Sequence, residues 1–137
     1  MPEVISSAVG RDFAVSVERA EDELAVHVRG SFDAVAAPTI LAAVEAAADL
    51  GGRGRLVFDL SDVRFLDSAG ISVLVRGAML QELAGGSVAV RNPPRIARRL
   101  LELMRLTNLI PVEVDIRRRG GLRTPCADEP EELVGEG

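Results

Sequence analysis

LVFDLSDVRFLDSAGISVLVRGAMLQEL, residues 56–83, joins an apolar run to an apolar-faced helix through a short polar hinge. Leu56-Val57-Phe58, ending at Asp59, has the unbroken apolar character of a central strand covered on both faces. Val63, Phe65 and Leu66 lead into the hinge Asp67-Ser68-Ala69-Gly70. Ile71, Leu74, Val75 and Ala78 then recur at helical spacing, which predicts a helix from about Ser68 to Leu83. Ser68 falls in the first turn of that helix, at the C-terminal edge of the sheet. Free backbone N–H groups there attract negative charge.

Outward from this stretch the chain alternates strands and helices. Residues 1–12 read as a loose leader. Phe13–Val17 and Leu24–Val28 alternate apolar and polar residues across the turn Glu21-Asp22-Glu23, which predicts a hairpin whose second strand Gly30 ends. Pro38 fits a helix only in its first turn, and Ile40, Val44 and Ala47 mark the inner face of a helix closing near Asp49. Gly51-Gly52-Arg53-Gly54 turns the chain into the strand Arg55–Asp59. After the central helix, Ala84-Gly85-Gly86 is a stop and Ser87–Val90 a strand. Asn92-Pro93 reads as N-cap and first position of a last helix. Ile96, Ala97, Leu100, Leu101 and Met104 line its inner face, and Arg95, Arg98, Arg99, Glu102 and Arg105 its outer one. Leu109–Asp115 is a short final strand. From Arg117 the pattern dissolves into an acidic run too poor in apolar residues to order itself, so residues 117–137 are expected to be disordered. The block order predicts an α/β layer, a mixed central β-sheet with helices packed mainly on one face.

At 137 residues and 47% apolar content the chain has one domain's worth of core, and with four Phe and no Trp or Tyr that core must be aliphatic. No apolar run reaches the roughly 20 residues of a membrane span. The first residues lack the features of a signal peptide. One cysteine, Cys126, excludes an internal disulfide and a multi-Cys zinc site. A cytoplasmic protein without metal or cofactor is the simplest expectation. All sixteen basic residues are Arg and lie before Thr124, balanced by sixteen acids in the same segment. The net −5 belongs to Asp128, Glu129, Glu131, Glu132 and Glu136. No basic excess points to nucleic acid, and the lack of Lys reads as compositional bias.

The run Phe58-Asp59-Leu60…Phe65-Leu66-Asp67-Ser68-Ala69-Gly70-Ile71 resembles the signature of STAS domains, and more closely of bacterial anti-sigma factor antagonists. Gly30-Ser31-Phe32-Asp33 is similar to their other motif, and Asn92-Pro93-Pro94…Leu103–Leu109 to their last helix. The resemblance spans roughly Phe13 to Ile116 and implies a STAS domain over residues 13–116. It implies that Ser68 accepts a phosphoryl group from a partner kinase. It also implies that Asp33 lies near that serine and contributes to partner contact. Ala69 departs from relatives with a second serine there, leaving Ser68 the one target at the hinge.

Each of these residues also has an ordinary structural reading. Ser68 after Asp67 has the pattern of a helix cap. Asp67 is a cap, a group orienting the Ser68 hydroxyl, or a contact for the kinase. Asp33 is a solvated loop acid or a first-turn charge on the helix dipole. Gly70 admits close approach of a partner or of the neighbouring loop. Ile71 belongs to the core face beside the hinge and counts with the partner-binding residues. Val73 and Leu80 are left over from the core-facing set, either buried under a loop or exposed as a contact patch beside Ser68. Ser72 reads as a polar helix residue, Met79 and Met104 as core fillers, and His27 as a surface residue.

The resemblance implies a binding module, not an enzyme. The unphosphorylated form binds an anti-sigma factor that is itself an ATP-binding serine kinase, and the sigma factor is freed. Phosphorylation of Ser68 ends the binding, and a PP2C-type phosphatase resets it. ATP belongs to the partner, because this chain has no Walker-type loop and no Lys. A serine hydrolase would need a base and an oxyanion hole, and no Gly-x-Ser-x-Gly elbow exists. The rival reading is a non-phosphorylated STAS scaffold or an accessory subunit of a transporter or signalling complex, since fold does not fix use.

Overall fold

The computed structural model describes residues 3–51 and 54–114. The elements run β1 (Glu3–Val9), β2 (Phe13–Ala20), β3 (Glu23–Phe32), α1 (Ala37–Gly51), β4 (Arg55–Leu66), α2 (Ser68–Leu83), β5 (Ser87–Arg91), α3 (Arg95–Leu103) and β6 (Val112–Glu113). The six strands form one sheet in sequence order. β1, β2 and β3 pair antiparallel, and β3 to β6 pair parallel. Each parallel step is bridged by one helix, as a crossover requires.

Period-two alternation decides the faces. Leu24, Val26 and Val28 on β3, Leu56, Phe58 and Leu60 on β4, and Val90 on β5 point into one cluster. Ile40, Val44, Leu74, Ala78, Ala97 and Leu101 from the three helices complete it. The opposite face carries Glu23, His27, Arg55, Asp59, Arg91 and Glu113, and no helix covers it among the described residues. The mixed α/β sheet with a one-sided helical layer is the fold the block order implies.

Several expectations are corrected. The leader is not loose: Glu3–Val9 is the edge strand β1, packing Ile5 and Ala8 against the core. A register irregularity between Val4 and Ser6 breaks its alternation, so the pattern is not visible in the sequence. Strand β4 does not stop at Asp59 but runs to Leu66. Gly30 does not end β3: in the left-handed region at φ 88°, it passes the chain on to Phe32. The last helix starts at Arg95, with Pro94 as its cap residue, because Asn92 is buried in a left-handed conformation and its N–H donates to the Glu113 carbonyl. That nine-residue helix turns Ala97 and Leu101 inward and leaves Ile96 and Met104 exposed. Met79 is exposed too, so neither it nor Met104 fills the core. The final strand is only Val112–Glu113. The disorder expected for residues 117–137, and Cys126, lie outside the described residues.

Candidate functional site

Strand β4 reaches the hinge through two irregularities. Opposite the step His27/Arg29 of β3, β4 advances from Asp59 to Asp62, so Leu60 and Ser61 form a bulge. Asp59 is buried there, and its Oδ1 accepts hydrogen bonds from the Ser61 N–H at 3.1 Å and the Ser61 hydroxyl at 2.7 Å. The inward phase therefore moves from Leu60 to Val63. A second shift, at Gly30/Ser31 against Val63/Phe65, moves it again. Leu66 ends up inside, and Phe65 is turned out at 48% exposure.

The parallel register then places two aspartates side by side. Phe32 pairs with Leu66, so Asp33 and Asp67 are the next residues to leave the same edge of the sheet. Each closes a turn. Asp67 caps α2, its Oδ1 accepting from the Ala69 N–H at 2.9 Å and the Gly70 N–H at 3.3 Å. Asp33 does the same ahead of α1, accepting from the Val35 and Ala36 N–H groups at 3.1 Å each. Gly70 seals the joint: a Cβ there would stand 2.5 Å from the Phe32 carbonyl oxygen and 2.5 Å from a Leu66 methyl. The close approach is to the end of β3, within the protein.

Ser68 opens α2 and is exposed. Its carbonyl accepts the Ser72 hydroxyl at 3.0 Å, so Ser72 is a helix residue bonded to its own turn. Two exposed apolar residues lie in the segments leading into α2 and α1. Phe65 and Val35, the latter 77% exposed, are apolar side chains standing two residues from Asp67 and Asp33. No periodic signal marks Phe65, because it shares the phase of buried Val63.

The family model described as Mlab, STAS domain, matches residues 15–111. The chain belongs to the STAS-domain family. The anti-sigma-B factor antagonist of Bacillus subtilis (strain 168) is 27% identical to this STAS domain over 110 residues, 80% of this chain and 96% of that protein. An anti-sigma factor antagonist from Mycobacterium paratuberculosis, known from its crystal structure, superposes with TM-score 0.66 at 28% identity, covering 80% of this chain and 92% of that one. The Bacillus cell fate determinant SpoIIAA in its phosphorylated form shares the fold, with TM-score 0.61 at 17% identity over 80% of this chain and 99% of that one.

Within this STAS domain not all of the expected contact residues reach the surface. Ile71 and Val73 are buried, at 2% and 4% exposure, which corrects their place in a contact patch. Helix α2 packs against α1 as well as the sheet, and Val73 is among its buried residues. Leu80 is half-buried, and so is Ala69. Phe65 and Val35 are the exposed large apolar residues of the two segments that carry Asp67 and Asp33.

His27 is not a free surface residue. Its Nε2 lies 2.9 Å from Asp62 and its Nδ1 3.5 Å from Asp59, so both ring nitrogens face β4 carboxylates on the open face of the sheet. Across that face Arg55 and Arg91 each bridge Glu23 and Glu113. Burial alone would disfavour the charge on Arg91, but hydrogen bonds and attraction from the two glutamates outweigh it and raise its pKa. Burial likewise works against the Glu113 carboxylate. The hydrogen bonds from Arg55 and Arg91 prevail and hold it below the usual glutamate range. No cluster of His, Cys, Asp and Glu suited to a metal ion occurs among the described residues. None of their helices is long and apolar enough to cross a membrane.

Proposed function

We propose that this STAS domain is an anti-sigma factor antagonist whose docking face is the Asp33–Asp67–Ser68 rim, and that phosphorylation of Ser68 cancels docking. The observation that carries the reading is the exposure of Ser68 next to a helix start whose N–H groups are already engaged. Asp67 holds the Ala69 and Gly70 donors. A phosphoryl group on Ser68 Oγ brings about −1.5 to −2 charge at pH 7 and three acceptor oxygens. With those donors taken, the new charge stays at the surface beside two aspartates. A partner docking there meets like-charge repulsion and an added desolvation cost. The fold is not disturbed, because the modified side chain points to solvent.

The partner is an anti-sigma factor with serine kinase activity. It supplies ATP, transfers the γ-phosphoryl group to Ser68 Oγ and releases ADP, the hydroxyl proton passing to a base on the kinase. A phosphatase restores the hydroxyl by hydrolysis. Phe65 and Val35 supply the apolar part of the contact, and a half-exposed aromatic ring is the typical anchor of such a face. The names of the Bacillus and Mycobacterium relatives agree with this role.

The experiment is phosphosite mapping after incubation with the cognate kinase and ATP. Wild type gains one phosphate on Ser68, and Ser68→Ala gains none. A chain that binds its partner but never acquires phosphate would instead be a STAS scaffold or accessory subunit.

A further inference from the structure

A cleft of about 710 Å³ opens on the helix-free face, between the β1–β2 turn, Arg29-Gly30 of β3 and Ser61–Arg64 of β4. Three arginines line it: Arg11, Arg29 and Arg64. All three are exposed, and none forms an ion pair among the described residues. The contrast is with Arg55 and Arg91 on the same face, each of which engages two glutamates. Two carboxylates line the cleft, and that of Asp62 is bonded to His27 at 2.9 Å. Asp12 remains the one acid without an ion-pair partner among the described lining residues, against three guanidinium groups.

The cleft wall is fixed by backbone. The Ser31 N–H donates to the Asp12 carbonyl at 2.9 Å, and the Gly10 N–H to the Phe13 carbonyl at 2.9 Å. Gly30 lies so close to the β1–β2 turn that a Cβ would stand 2.3 Å from the Asp12 carbonyl oxygen. The Phe13 ring covers Gly10 and gives the cleft an apolar side. A recess lined by three exposed arginines and an aromatic ring, with backbone hydrogen bonds at its wall, fits a compact ligand with an anionic end.

We propose that this cleft binds a phosphate-bearing small molecule, with Arg11, Arg29 and Arg64 as the phosphate ligands. Guanidinium groups match phosphate oxygens in bidentate geometry, and the volume lies within the range of small-ligand sites, about 300–1,000 Å³. The site does not depend on the antagonist reading. It uses no residue of the Asp33–Asp67–Ser68 rim.

Inorganic pyrophosphate titrated into the full chain at low salt, followed by calorimetry, is the test. A saturable isotherm is expected. The double substitution Arg29→Gln/Arg64→Gln weakens it at least about tenfold, the loss typical of removing charged hydrogen bonds. The control Arg98→Gln/Arg99→Gln, on the exposed side of α3, leaves it unchanged. Co-sedimentation with phosphatidylcholine vesicles doped with phosphatidic acid separates the sources. Binding to those vesicles, lost in the cleft variant, with no pyrophosphate isotherm, assigns the phosphate to a lipid headgroup. A pyrophosphate isotherm lost in the same variant assigns it to a soluble molecule. Neither probe binding, or the α3 control weakening as much as the cleft variant, overturns the proposal. Circular dichroism of both variants confirms that the substitutions, all at exposed positions, leave the fold unchanged.

Discussion

The two halves of β4 behave differently. From Arg55 to Asp59 the strand is regular, pairs without interruption on both sides and sends Leu56 and Phe58 into the core. From Ser61 to Leu66 it pairs only with β3, through two register shifts, and ends at the exposed rim that carries Asp67 and Ser68. The first half supplies stability. The second supplies aim: the shifts turn Phe65 outward and Leu66 inward, and so fix where α2 begins.

Substitutions in the two halves should therefore separate folding from docking. The largest effect is expected from Phe58→Ala, where a fully buried ring is lost. About 3–5 kcal/mol of stability should disappear, read as a lowered denaturant midpoint, with binding failing only as the protein unfolds. Phe65→Ala should do the reverse. Partner affinity falls by about 2 kcal/mol, as for an interface anchor, while the midpoint stays close to wild type. Equal loss of stability from both would erase the distinction between the halves.

Asp67→Ala acts at the joint between the strand and the helix. It strips the acceptor from the Ala69 and Gly70 N–H groups, and about 1 kcal/mol of stability should go with the cap. Because those N–H groups are then free to meet the new charge, phosphorylated Ser68 should destabilise partner binding less in this variant than in wild type, measured by titration of the modified protein. The smallest effect concerns the far side of the sheet. Glu113 has a lowered pKa in the folded protein, so its contribution is present above the ordinary glutamate pKa and is lost as pH falls through the folded value. Glu113→Gln should flatten the acid limb of the stability profile below about pH 4 and leave docking untouched. An unchanged acid limb would mean that the Arg55–Glu113–Arg91 bridges contribute nothing to folding.

The same division explains what the sequence made legible. Strands β2 and β3, the core half of β4 and both bounds of α2 follow from unbroken apolar periods. Ser68 and its exposure follow from the hinge motif at a helix start. The misreadings sit where the period breaks. The outward turn of Phe65 comes from a register shift between it and Val63, which depends on β3 and leaves no trace in β4's own residues. β1 is hidden by the shift between Val4 and Ser6. Val73 looks surplus on a single helix and is nevertheless buried, on a helix that packs against α1 as well as the sheet. The start of α3 is displaced by the left-handed Asn92, which has the composition of a cap and serves as a bend bonded to β6.

The most direct measurement is the affinity of the purified partner kinase for wild type and Ser68→Asp, taken with the melting curve of each. Ser68→Asp should lose at least tenfold in affinity, about 1.4 kcal/mol or more, with the two melting midpoints within about 2 °C, since exposed substitutions rarely change stability by more than about 0.5 kcal/mol. Undiminished affinity in Ser68→Asp, or a loss that tracks a lowered midpoint, would contradict the proposed switch.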